Sequence, residues 1–574
     1  VSIPTLSYSG ILEPLEELRG SLGRATYPLE TPAVAEAREQ RGDIVSQLDD
    51  YILPRYKSLD APLLAVVGGS TGSGKSTLVN SLVREQVAAV SAIRPTTRRP
   101  LLLHNTQDAR WFEPTRILPG LARVAADRSD GDAHSELALA ASDHLPSGLA
   151  LLDSPDIDSV VEENRRLAGQ LLNAADLWVF VTSAARYADA IPWALLDEAA
   201  ARNVVVAVVL NRLPMGAGAE VRPDLARRLE ERGLGAVPLF SITERLDEEG
   251  FIPREDIAPV RGWLQGLARD AGARSSVARQ TLGGAVDSLL AQRPAVLEGL
   301  TEQFATRDRL ATAVEDASAA TEQSIVSALE DGSMLRGEVL ERWQEIVGTG
   351  AWMKRLESGV SSLRDRMGSW LRGKRKLDDV ATEDAIEDSL HSLFVAQSED
   401  TLAAIGTAWT NIPGSQPLLD AARRNVRGHA ERSEAATESI RAWQRDVIDM
   451  IREEGHGRMA TARALSVGVN LLGAALMITI FASTAGLTGG EVAVAGGTAV
   501  LAQRLLEAVF GDDAVRRMAR QARESLLIRA SAFLATDTAP FDDAVAGIDL
   551  DSDNYDAVVA AFSAVAAARG KESR

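Results

Sequence analysis

The chain has 574 residues, too many for one ordinary domain, and its 45% hydrophobic content is enough to build real cores, which excludes a disordered protein. A formal net charge of −20 argues against general nucleic-acid binding, and the absence of cysteine removes disulfides, thiol catalysis and cysteine zinc sites. The six histidines show no close metal-ligand spacing. The opening Val1-Ser2-Ile3-Pro4 has neither the basic start nor the apolar core of a signal peptide, so a cytoplasmic protein is expected.

In chain order, helical patterns over 11–22 and 31–56 come first. The apolar run 63–67 then leads directly into Gly69-Ser70-Thr71-Gly72-Ser73-Gly74-Lys75-Ser76-Thr77, and a helical stretch follows. Strand, glycine-rich turn and helix in this order form a phosphate-binding P-loop. The glycines let backbone amides turn inward, and the helix N-terminus adds partial positive charge. Lys75 is then placed to reach the β- and γ-phosphates of a nucleoside triphosphate, and the Ser76 hydroxyl to ligate Mg²⁺.

Further apolar runs at 101–103, 149–152, 177–181, 204–210 and 237–240 alternate with helical stretches as far as Leu267. That alternation predicts an α/β domain with a mostly parallel sheet and helices on both faces. Asp153 ends the run 149–152, where a P-loop domain needs an acidic partner for Mg²⁺. The run 177–181 continues into a polar loop holding Arg186, which is read either as a charge-stabilising arginine or as a salt-bridged surface residue.

The segment Arg94-Pro95-Thr96-Thr97-Arg98-Arg99-Pro100, lying between P-loop and Asp153, resembles the switch region of the dynamin and Era-like GTPases. The resemblance implies that Thr97, with Thr96 as the close alternative, coordinates Mg²⁺ and positions the attacking water. Asn211-Arg212-Leu213-Pro214 stands where this family carries its base-recognition motif, so Asn211 would contact the purine and the Arg212 stem would cover the ring. Pro214 replaces the aspartate that pairs with guanine, which weakens the implied guanine selectivity and keeps an ATP-using enzyme as an alternative. Asp153-Ser154-Pro155-Asp156 replaces the family's Asp-x-x-Gly, and the Asp156 side chain would add negative charge near the γ-phosphate.

Beyond Leu267, long alanine-, leucine- and glutamate-rich helical stretches predict an all-α, stalk-like domain. Within 352–377, eight basic residues face only Glu357 and Asp365 around an apolar helical stripe, a pattern that suits either an anionic lipid surface or a solvated helix. From 464 to 488 no residue is charged, and a second uncharged run, 492–502, follows a Gly-Gly-Glu turn. The first run is long enough to cross a bilayer, and the pair predicts a hydrophobic hairpin, either a membrane tip or a buried core.

The order of parts resembles bacterial dynamin-like proteins. The expected segments are N-terminal helices at 1–57 joining the stalk, a nucleotide-binding domain at 58–267, the stalk at 268–460, the hairpin at 461–510 and returning helices at 511–574. The resemblance implies a Mg²⁺-dependent GTPase that couples hydrolysis to a conformational change of the stalk and to membrane remodelling. It implies membrane lipid as a partner, at the inner face of the cell membrane, and a homodimer or hetero-oligomer formed through the nucleotide domain. The alternative is a soluble switch acting on a protein partner.

Overall fold

The computed structural model describes residues 9–88, 99–114, 117–126, 135–158, 162–330, 378–454, 478 and 510–572. Thr96 and Thr97, the basic segment 352–377 and, apart from Ile478, the hairpin at 464–502 lie outside the described residues. Among the described residues, no helix is long and apolar enough to cross a membrane.

The strands are β1 (Leu63–Gly69), β2 (Leu101–His104), β3 (Ala122–Ala125), β4 (Glu136–Ala141), β5 (Leu149–Asp153), β6 (Leu177–Ser183), β7 (Val205–Leu213) and β8 (Leu239–Thr243). They form one sheet in the order β3-β4-β2-β5-β1-β6-β7-β8. β5, β1, β6, β7 and β8 run parallel to one another; β2 joins this block antiparallel to β5, with β4 and β3 running alongside β2. The sheet is thus mostly parallel, as expected, with a reversed edge block.

The longer helices are α1 (Ser9–Arg24), α2 (Val34–Gln47), α3 (Lys75–Val83), α4 (Glu162–Asn173), α5 (Ala190–Ala201), α6 (Gly218–Glu230), α7 (Arg254–Arg269), α8 (Ala271–Ala291), α9 (Arg293–Glu330), α10 (Asp378–Thr410), α11 (Gln416–Asn425), α12 (His429–Glu454), α13 (Asp512–Ala546) and α14 (Ser552–Glu572).

Because successive strand residues point to opposite faces, the uninterrupted apolar runs supply two cores. Leu64, Val66, Leu152, Trp178 and Val208 face one way and pack with α4, α5 and the apolar faces of α1 and α14. Leu63, Ala65, Val67, Leu151 and Val179 face the other way, against Leu78 and Leu82 of α3 and Ile257, Val260 and Leu264 of α7. Asp176, buried just before β6, accepts hydrogen bonds from Arg55 Nε at 2.8 Å, the Tyr51 hydroxyl at 3.2 Å and the Leu64 amide at 2.8 Å, which fixes the entry to β1.

Two compact units result. The first contains Val1–Tyr27, Ala33–Thr301 and Leu550–Arg574, and the second contains Pro28–Pro32 and Glu302–Asp549. The second unit is helical among its described residues; Ile325, Phe394, Ile440, Trp443, Leu526 and Phe533 lie in its core. A polar anchor accompanies that core. The carboxylate of Asp537, 1% exposed, accepts from Arg427 Nε at 2.8 Å, Arg432 Nε at 3.3 Å and Ser398 Oγ at 2.6 Å.

Candidate functional site

The predicted P-loop leaves the carboxyl end of β1 and enters α3, the position at which open α/β sheets bind ligands. Two glycines are required by close approach. A Cβ on Gly69 would lie 2.0 Å from the Val181 carbonyl oxygen on the neighbouring strand β6. Gly74 has φ +91°, and a Cβ there would lie 2.4 Å from Asn211 Nδ2. Both positions need a residue without a side chain.

Lys75 opens α3 with its side chain folded back over the loop. Its ammonium donates to the carbonyls of Gly69 at 2.8 Å and Ser70 at 3.2 Å, and to Asp156 Oδ1 at 2.5 Å. Beside it the Ser76 hydroxyl donates to Asp153 Oδ2 at 2.6 Å. Asp153 is 1% exposed, and burial, partly offset by the Ser76 hydrogen bond and the Lys75 charge and reinforced by Asp156, pushes its pKa up to about 6. Its other oxygen, Oδ1, is buried without a hydrogen-bond partner, as are the hydroxyls of Ser70 and Ser73. Buried polar atoms are normally satisfied, so these orphans mark a place built for a polar ligand.

The donor set fits a divalent cation held with a phosphate. One hydroxyl and one carboxylate converge, and among the described residues no cluster of three or more acidic or histidine side chains could enclose a metal alone. Mg²⁺ is commonly bound in this manner, by one or two carboxylates with substrate phosphates and water completing its shell.

Asn211 comes in from β7 and donates through Nδ2 to the Ser73 carbonyl at 2.8 Å, so its buried amide braces the loop. Arg212 follows in a left-handed conformation, φ +51°, with its side chain exposed. The structure therefore brings together Gly69 to Thr77, Asp153, Asn211 and Arg212; Thr97 is outside the described residues.

One acidic residue was missed by the sequence reading. Asp158 Oδ1 accepts from both the amide and the hydroxyl of Thr71, at 2.6 and 2.7 Å, while its Oδ2 accepts from Arg186 at 2.6 Å. The available signal was the pair Asp156 and Asp158 just past Asp153, although residues 157 and 158 lie in a turn, where strand alternation does not apply. Of the two readings given for Arg186, the ion pair with Asp158 is the one present here.

Residues 64–213 match the family model described as the dynamin family. Two solved structures, both described as an oligomerised bacterial dynamin pair providing a mechanism for long-range sensing and tethering of membranes, resemble the chain. One is 13% identical, spans 99% of this chain and 95% of its own, and has a TM-score of 0.44. The other is 12% identical, spans 100% and 96%, and has a TM-score of 0.46. No curated protein matches the chain in sequence.

Proposed function

We propose, from the match of residues 64–213 to the dynamin family model, that the chain is a Mg²⁺-dependent, dynamin-like GTPase that works at a membrane. The observation that carries the nucleotide reading is the Ser76–Asp153 contact beside Lys75, with Asp153 Oδ1 and the Ser70 and Ser73 hydroxyls left buried and unpartnered. The amides of residues 69–77 and the Lys75 ammonium gather the β- and γ-phosphate oxygens, and Ser76 and Asp153 hold the cation. A bound Mg²⁺ supplies neutralisation of the phosphate charge. Thr97 orients the attacking water, and Asn211 and Arg212 contact the purine. With no glutamine after Asp156, where Ile157 stands, intrinsic hydrolysis is slow and gains from contact between two nucleotide domains.

The helical second unit receives the change between nucleotide states, and the uncharged runs of 464–502 engage lipid. A second reading of the base follows from Pro214, which removes the guanine-pairing carboxylate and admits ATP. Equilibrium binding of GTP and ATP to the full chain, with Mg²⁺ or with EDTA, tests the site. GTP retained in a Mg²⁺-dependent manner and displaced poorly by ATP is expected; failure to bind either triphosphate overturns the proposal. Liposome flotation of the full chain and of a chain lacking 464–502 separates the membrane enzyme from a soluble switch. Equal partitioning of the two rejects the lipid role.

A further inference from the structure

The segment after β5 sends two carboxylates into the P-loop. Asp156 Oδ1 lies 2.5 Å from Lys75 Nζ, and both side chains are almost wholly buried. Two residues on, Asp158 takes the amide and hydroxyl of Thr71. Ile157 between them is buried in the core, which anchors the segment beside the loop. A lysine ammonium and P-loop amides are the groups that phosphate oxygens require, so carboxylate and phosphate compete for the same donors.

We propose that Asp156, assisted by Asp158, is an internal counter-anion that closes the phosphate cradle, and that a nucleoside triphosphate binds by displacing Asp156 from Lys75. This rests on the nucleotide reading given above. A buried ion pair is tolerated only while both partners are satisfied. Once a phosphate takes over Lys75, the Asp156 carboxylate is left beside a second anion in a desolvated site, and like charges there repel strongly. The carboxylate must leave, and the segment 154–158 leaves with it. Asp158 lies on that same segment and holds both Thr71 and Arg186, so the displacement reaches the loop that follows β6. Asp156 thus sets the threshold for nucleotide entry and starts the change that nucleotide produces.

The test is calorimetric titration of the full chain with Mg²⁺ and GTP, and separately with GDP, for the native protein, Asp156→Asn and Asp156→Ala. Asn keeps the shape and removes the charge, and Ala removes any new hydrogen bond that an amide offers to phosphate. Charge-assisted hydrogen bonds are among the stronger ones, so GTP affinity is expected to rise about tenfold or more in both variants. GDP affinity should rise less, because Lys75 then gains only the β-phosphate oxygens in place of the β- and γ-phosphate oxygens of GTP. Melting curves without nucleotide verify folding, and the variants should show the larger GTP-induced rise. Unchanged or weaker GTP binding in a folded variant overturns the counter-anion while leaving the nucleotide site intact. Absence of binding in all three proteins rejects the nucleotide reading, and the counter-anion falls with it.

Discussion

Gly74→Ala tests the construction of the site in one atom. Gly74 lies at φ +91° and ψ 29°, left-handed backbone that costs an L-residue about 1–2 kcal/mol. The added methyl would stand 2.4 Å from Asn211 Nδ2, and Asn211, 4% exposed, has little room to retreat. Moving it breaks the 2.8 Å bond to the Ser73 carbonyl and leaves a buried acceptor unpaired, at about 1–3 kcal/mol. The total is about 2–5 kcal/mol, with triphosphate binding lost because the loop no longer holds its shape. Asn211→Ala alone should cost only the hydrogen bond. The double variant should cost less than the sum of the two singles, since the steric conflict disappears while the backbone strain remains. Scanning calorimetry, following the transition that GTP shifts, measures all three proteins. Additive losses, or a Gly74→Ala protein with native melting and binding, would refute the reasoning.

Two further outcomes follow from the buried charges. Asp537→Ala in the second unit removes the partner of the Arg427 and Arg432 guanidiniums and leaves the nearly buried Arg432 poorly compensated, a loss of about 3–5 kcal/mol in a denaturant titration; a loss below about 1 kcal/mol would show the anchor to be dispensable. Burial pushes the Asp50 carboxyl above its ordinary range, opposed by the Gln170 hydrogen bond and assisted by Asp49. The folded state therefore holds this proton more tightly than the unfolded chain, so the charged form costs stability above the folded pKa and that cost vanishes as the pH falls through it. Asp50→Asn should raise the melting temperature at neutral pH, with the gain shrinking in acid; a gain independent of pH would contradict the assignment to charge burial.

Much of the sheet was legible because its strands are buried on both faces. The runs at 63–67, 149–152 and 177–181 all became β1, β5 and β6, and Asp153 ends its strand as expected. β3 and β4 went unread: Ala122–Ala125 and Glu136–Ala141 are short, rich in alanine and partly exposed, so they lack the continuous apolar signal. The last strand also shifted, from 237–240 to Leu239–Thr243, because Pro238 starts it late. The glycine-rich loop between β1 and α3 could be read from spacing alone, since its signal is local. The ties of Asp156 to Lys75 and of Asp158 to Thr71 could not, because they join segments about eighty residues apart in the sequence. The pairing of α1 with α14 is likewise a tertiary choice that helical periodicity does not encode.

That pairing has a consequence for biosynthesis. Phe562 and Val565 of α14 complete the same core as Ile11, Leu15 and Leu18 of α1, and Asn554 donates to the Ser21 carbonyl. The ribosome must make residues 25–551 between the two, which takes roughly 25–105 s at ordinary elongation rates. Throughout that interval α1 has α2 beside it but not α14, so its share of the core stays incomplete. The core of the first unit is therefore completed only after the residues of the helical second unit have been made.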